Sequence, residues 1–181
     1  MSSSFLSTLV FGGARSGKSL FAERLVTESG LAPVYIATAE ARDGEMESRI
    51  ATHRQRRGAE WTTLEEPFDL AGMIAREARP DRALLVDCLT LWLSNHYFAE
   101  HDIEAETRGL NDAIAGLVGP VVLVSNEVGF GIVPENRLSR DFRDAQGRLN
   151  QSIAAACDRA ILVAAGLPLV LKPTLQGPIT L

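Results

Sequence analysis

Gly12-Gly13-Ala14-Arg15-Ser16-Gly17-Lys18-Ser19 follows the pattern G-x-x-x-x-G-K-S/T. Glycines at this spacing let the backbone turn tightly, so that successive N–H groups point into a concave anion site. A helix starting behind the loop adds its positive end. Lys18 then places a cation on the outer phosphates, and the Ser19 hydroxyl suits a magnesium ligand. A glycine-rich turn beside an unrelated lysine is the plainer alternative. The context favours the functional reading, because residues 8–11 read as a buried strand and 20–28 as a helix. The expected chemistry is that of an enzyme using a nucleoside triphosphate.

Two further groups could complete such a site. Asp87 ends an apolar run, where phosphate-loop enzymes place a second carboxylate to organise magnesium; it could equally cap the helix that follows. Residues 49–57 read Arg-Ile-Ala-Thr-His-Arg-Gln-Arg-Arg. On a helix, Arg49 and Arg57 lie one turn either side of His53, with Arg56 close by. Positive neighbours hold an imidazole neutral, as a nucleophile requires, and they also draw in a polyphosphate. Attack by such a histidine on an α-phosphate would release pyrophosphate and carry the nucleotide covalently. A solvated basic helix face with an incidental histidine is the competing account. The polar, glycine-rich stretch from Asn126 to Arg137 could contact substrate or act as a lid. Alternatively, Arg137 and Asp141 simply pair across one helical turn.

The elements that must position these residues alternate between strand and helix. Strands are expected at 8–11, 34–37, 83–87, 121–124, 161–163 and 169–171. Helices are expected at 20–28, 43–57 and 68–79, through Leu91, Trp92 and Phe98, at 103–117, and from Glu135 or Asn136 to about Cys157. The strands are continuous apolar runs. That pattern marks an α/β protein with a mainly parallel sheet covered by helices on both faces, the three-layer phosphate-loop NTPase-like class. Gly12, Ala37, Asp87 and Asn126 each stand at a strand's end, so this topology gathers them on one sheet edge.

Composition sets the outer bounds. The 181 residues, 46% hydrophobic and 23% charged, suit one nucleotide-binding domain over residues 1–181. A formal net charge of −5 argues against a nucleic-acid or anionic-lipid surface, so an anion site must be a local basic patch. Two cysteines, Cys88 and Cys157, form no metal or disulfide pattern and point to a reducing, cytoplasmic setting. Apolar runs are strand-sized, so no membrane span is expected.

Taken together, these segments resemble the bifunctional adenosylcobinamide kinase/adenosylcobinamide-phosphate guanylyltransferase family. The resemblance spans nearly the whole chain. It rests on the loop at residues 12–19, then on Tyr35-Ile36-Ala37-Thr38, on Asp43-Gly44-Glu45-Met46 with Arg49-Ile50 and His53-Arg54, and on Leu85-Val86-Asp87-Cys88-Leu89-Thr90. It continues through Ser125-Asn126-Glu127-Val128-Gly129 and Gly131-Ile132-Val133-Pro134-Glu135-Asn136-Arg137. The phosphate loop alone is generic; its combination with the His-Arg segment and the Asn-Glu-Val-Gly loop is specific. The resemblance implies two reactions of cobalamin biosynthesis. One phosphorylates adenosylcobinamide with ATP or GTP. The other transfers GMP from GTP to adenosylcobinamide phosphate through a guanylylated histidine, for which it marks His53. It also implies nucleotide contacts at residues 12–19, at Ala37, Thr38 and Ala39, at Arg54, Gln55, Arg56 and Arg57, and at Glu65 and Asp87. It further implies a homotrimer.

Two other functions remain open on the sequence. A plain phosphate-loop small-molecule kinase would leave His53 idle. A nucleotide-dependent switch is less well supported, because no N-K-x-D guanine-reading motif is present. In addition, the strand-end carboxylate reads Asp87-Cys88-Leu89-Thr90 rather than D-x-x-G.

Overall fold

The computed structural model describes residues 6–39 and 58–173. Helix 43–57, expected from sequence, lies outside the described residues. The described elements run β1 (Ser7–Gly12), α1 (Lys18–Glu28), β2 (Ala32–Ala37), β3 (Thr62–Glu65), α2 (Leu70–Glu77) and β4 (Arg82–Asp87). They continue with α3 (Leu89–Phe98), α4 (Ile103–Ala115), β5 (Val121–Asn126), α5 (Arg137–Ala156), β6 (Arg159–Ala164) and β7 (Leu167–Lys172).

The strands form one seven-stranded sheet in the order β3-β2-β4-β5-β1-β6-β7. All neighbours are parallel except β6 and β7, which are antiparallel. Side chains alternate across the sheet, and both faces are buried, which is why the central strands read as unbroken apolar runs. Leu9, Ile36, Leu84, Val86 and Leu123 pack with Leu70 and Ile74 of α2, Trp92 and Leu93 of α3, Leu110 of α4, and Leu149 and Ile153 of α5. Val10, Tyr35, Leu85, Val122, Val124, Ile161 and Val163 pack on the other face with Ala22 and Val26 of α1. The three layers of the expected class are therefore present.

One strand, β3, was not expected, and the last, expected at 169–171, spans Leu167–Lys172 as the antiparallel member of the mainly parallel sheet. β3 pairs with β2 through Val34↔Thr62 to Ala37↔Glu65 and so extends the functional edge by one strand. β7 returns antiparallel beside β6 through a two-residue connection, Ala165-Gly166, with both φ values positive (52° and 78°). Positive φ at both positions is the hairpin turn whose twist matches the flanking strands.

At the opposite, N-terminal end of β1, Asp158 closes the sheet. Its Oδ2 accepts from the N–H groups of Leu6 and Ser7, both at 2.9 Å, and from Ser7 Oγ at 3.0 Å. The Ser7 hydroxyl oxygen in turn accepts from the Asp158 N–H at 2.8 Å. Lys172 donates to the carbonyls of Ala154 and Ala155, satisfying the C-terminal end of α5.

Candidate active site at the carboxyl edge of the sheet

β1 ends at Gly12, level with Asn126 of β5; β2 ends at Ala37, level with both Glu65 of β3 and Asp87 of β4. Parallel register thus brings these five strand ends to the edge where such sheets bind ligands. The phosphate loop leaves β1 between β5 and β6 on this edge.

The loop is shaped by close packing against the β6–β7 hairpin. A side chain on Gly12 would collide with the Val163 carbonyl oxygen and approach Ser16 Oγ. Gly166 donates its N–H to the Ser16 carbonyl at 2.8 Å, and Gly17, at φ 93°, sits where a Cβ would come within 3.1 Å of Gly166 Cα. Gly17 is the N-cap of α1 and supplies no side-chain cap. The first N–H groups of that helix therefore depend on another acceptor, which an anion provides. The Ser16 hydroxyl oxygen is buried without a protein hydrogen bond, a second group suited to an incoming oxygen or water. Gly13, Ala14 and Arg15 are exposed along the loop.

Lys18 opens α1 and is largely buried. Its ammonium donates to the Gly13 carbonyl at 3.1 Å, so the side chain folds back across the loop. Burial holds its pKa below the ordinary lysine value, while Cys88 and Asp87 act in the opposite direction. Asp87 is half-buried, and its Oδ2 accepts from the Tyr35 hydroxyl at 3.1 Å. The competing cap role is not what it performs: the N-cap of α3 is Cys88, without a side-chain cap hydrogen bond. Ser19 is half-buried beside Lys18. A serine hydroxyl and an aspartate carboxylate are both hard-oxygen donors, the type that suits Mg2+.

Thr38 is fully buried beneath this edge. Its hydroxyl donates to the Cys88 carbonyl at 2.7 Å and accepts from the Cys88 N–H at 2.9 Å. Its carbonyl accepts from the Asn95 side chain at 2.8 Å, and its N–H reaches the Asp87 carbonyl at 3.4 Å. Thr38 thus ties the ends of β2 and β4 together, a positioning role that sequence reasoning missed. Ala37 and Ala39 are half-buried next to it, and Glu65 is exposed at the end of β3. His53, Arg54, Gln55, Arg56 and Arg57 lie outside the described residues.

A second support, also unforeseen, sits under Asn126. Ser125 Oγ donates to Asn150 Oδ1 at 2.6 Å, and Gln146 Nε2 donates to both. Asn150 Nδ2 donates to the Asn126 carbonyl, Thr90 Oγ1 accepts from the Asn126 N–H, and the Glu127 N–H reaches the Gly12 carbonyl. The signal was there: Gln146 and Asn150 lie one turn apart on α5, among its buried residues. Glu127 Oε1 accepts from the Gly129 N–H at 2.6 Å, bracing its own loop. Arg137 pairs with Asp141 at 3.3 Å as the structural alternative had it, but both are well exposed. Such pairs contribute about 0.5 kcal/mol or less, whereas the Asn136 cap, accepting from the Ser139 N–H, contributes about 1 kcal/mol. The cap, not the ion pair, starts α5.

Residues 8–171 match the sequence model of the cobinamide kinase / cobinamide phosphate guanyltransferase family. The bifunctional adenosylcobalamin biosynthesis protein CobP of Pseudomonas aeruginosa is 53% identical over 166 residues, spanning 91% of this chain and 96% of that protein. The bifunctional adenosylcobalamin biosynthesis protein CobU of Salmonella typhimurium is 44% identical, spanning 91% and 98%. Among solved structures, the RadB recombinase superposes with a TM-score of 0.51 at 16% identity, over 87% of this chain and 73% of that one; this likeness concerns the fold alone.

Proposed function

We infer the function from one premise: the chain belongs to the cobinamide kinase / cobinamide phosphate guanyltransferase family. It is a bifunctional transferase of cobalamin biosynthesis, with both the kinase and the guanylyltransferase activity. The observation that carries our reading of its chemistry is the single phosphate loop, with Lys18 folded across it and Asp87 adjacent.

In our account, one cradle serves both steps with ATP or GTP as substrate. For phosphorylation, the loop N–H groups and Lys18 hold the triphosphate. The adenosylcobinamide hydroxyl oxygen then attacks the γ-phosphorus. The bond from that phosphorus to the β-bridging oxygen breaks, the nucleoside diphosphate leaves, and the hydroxyl proton passes to solvent. For guanylyl transfer, the same groups hold the β- and γ-phosphates of GTP. A neutral His53 nitrogen attacks the α-phosphorus and pyrophosphate leaves. A phosphate oxygen of adenosylcobinamide phosphate then breaks the phosphorus–nitrogen bond, giving adenosylcobinamide-GDP and restoring the imidazole. Backbone donors and Lys18 stabilise the charge that builds on the phosphate oxygens in both steps. The hydroxyl of Ser19 and the carboxylate of Asp87 would hold Mg2+, which neutralises phosphate charge when bound.

Nucleotide contacts at Ala37, Ala39, Glu65 and residues 54–57 belong to this reading. For Thr38 we propose an indirect part, through the strand ends it clamps. Self-association as a homotrimer belongs to it as well. The exposed apolar side chains Leu167, Leu169 and Leu171 on β7, and Phe130, Ile132 and Val133 before α5, are surfaces that would favour burial.

The test follows both products in purified protein supplied with adenosylcobinamide and GTP. Lys18→Ala should lower both rates by about a hundredfold or more, the usual scale for losing a transition-state charge partner. His53→Ala should abolish adenosylcobinamide-GDP while adenosylcobinamide phosphate still accumulates. Equal loss of both activities in the two variants would refute the division of labour.

A further inference from the structure

Outside the phosphate site, the C-terminal end of α3 holds three side chains arranged as ligands. His96 is buried, His101 is exposed and Glu106, on the first turn of α4, is half-buried. Each can offer one ligand atom, and those three atoms all lie within 4.8 Å of one another. The two imidazoles meet at 2.9 Å, Nδ1 to Nδ1.

The backbone builds this meeting. Glu100 takes a left-handed conformation (φ 58°) just past α3. The His101 N–H reaches the His96 carbonyl at 3.1 Å and the Glu100 N–H reaches the Tyr97 carbonyl at 3.3 Å. This paired closure of a helix end folds His101 back over His96.

The neighbours then fix the tautomer. The Phe68 carbonyl accepts from Trp92 Nε1 at 2.9 Å and lies 3.2 Å from His96 Nε2. A carbonyl only accepts, so His96 Nε2 carries a proton. In the neutral ring, Nδ1 is then a lone pair facing His101 and Glu106. A histidine held through one nitrogen by a backbone carbonyl, with the other nitrogen presented to a cluster, is the orientation found in metal ligation. The edges of Trp92 and Phe68 pack around the ring, with centroids 4.6 and 5.4 Å away, and limit its rotation.

We propose that His96 Nδ1, His101 and the Glu106 carboxylate form a binding site for a borderline divalent transition-metal ion of the Zn2+ class. Two imidazole nitrogens and one carboxylate oxygen are the donors such ions select, in preference to Mg2+ or Ca2+. Tetrahedral ligands at zinc distances stand about 3.3 Å apart, so the exposed His101 ring and the Glu106 carboxylate must shift and turn to close on a shared ion. On binding, the proton on His101 Nδ1 moves through solvent to Nε2, and no net proton is released from two neutral rings. The exposed side of His101 is the entry path, and the three protein ligands leave a coordination position for water. The ion would pin the end of α3 to α4. Through Asn95, which donates to the Thr38 and Pro67 carbonyls, it would stiffen the wall beneath the strand ends.

The test uses full-length protein stripped with EDTA and free of nucleotide. Co2+ is titrated while its visible absorption is followed, and Zn2+ is titrated in competition with a chromophoric chelator. Wild type and His53→Ala should each take up one equivalent. His101→Ala, at an exposed position, should lose at least tenfold in affinity, and the near-isosteric Glu106→Gln should also weaken binding. Saturation at a hundredfold excess over Kd should raise Tm by about 5–10 °C in wild type and not in His101→Ala. Failure of wild type to bind Zn2+ at about 100 µM, or equal binding by wild type and by both folded site variants, would overturn the proposal.

Discussion

Asp87 shows what a single residue contributes here. Tyr35 steadies one of its oxygens, it ends a strand beside Lys18, and it leaves the capping of α3 to Cys88. Asp87→Asn keeps the shape and removes the charge. The expected result is a kcat lowered by about a hundredfold, with saturation requiring more Mg2+; unchanged kcat at limiting Mg2+ would remove Asp87 from the metal role. Its value was half legible in the sequence, since a carboxylate after an apolar strand has two ordinary uses, and only the geometry of the next helix decides between them. Cys88, its neighbour, is buried, and that burial pushes its thiol up to about 12, so it offers no thiolate near neutral pH. Cys157 is likewise buried and raised to about 12. Neither cysteine has a chemical part in the account.

At the scale of elements, the phosphate loop and the β6–β7 hairpin work as one piece. Gly12→Ala forces a methyl group into the Val163 carbonyl and toward Ser16, so the loop must shift away from β6. We expect a loss of about 1–3 kcal/mol in stability and at least a tenfold rise in the Kd for GTP, read by denaturant melts and nucleotide titration. Wild-type affinity in that variant would show that the loop is not held from below. The phosphate loop was legible because glycine spacing, strand and helix all agree. Its support was not. Ala165-Gly166 between two apolar runs is a hairpin signal, but nothing in the two runs themselves says that the second returns beneath the phosphate loop. β3 escaped for a different reason: Thr62-Thr63-Leu64-Glu65 is short and carries one apolar residue, so its strand state comes from pairing with β2 rather than from its own pattern. The clamp made by Thr38 was invisible because contacts between residues far apart in the chain leave no local spacing; of the Ser125–Gln146–Asn150 network only the one-turn spacing of Gln146 and Asn150 was legible.

At the scale of the whole molecule, the sheet has a chemical edge and a structural edge. Asp158 closes the structural one. Desolvation raises its pKa, but the hydrogen bonds from Ser7 and Leu6 outweigh this, and the net result lies below the ordinary carboxylate value. A carboxylate with a depressed folded pKa stabilises above its unfolded value, near 3.9, and loses that contribution as pH falls through the lower folded value. Asp158→Asn should therefore be less stable than wild type by about 1 kcal/mol near pH 7, with the gap closing as pH falls below the unfolded value near 3.9 and through the lower folded one. A constant gap across that range, in urea melts, would assign the effect to packing instead. Among the described residues no helix is long and apolar enough to cross a membrane. The central claim concerns the chemical edge, where one cradle presents GTP first for γ-transfer and then for attack at the α-phosphorus. Its most direct test is to mix the protein with GTP labelled at the α-phosphate, without corrinoid, and isolate the protein after denaturation. An acid-labile, alkali-stable label of about one per chain, absent from His53→Ala and from Lys18→Ala, is the predicted result. Label retained in His53→Ala, or no label in a wild type that still makes adenosylcobinamide-GDP, would contradict it.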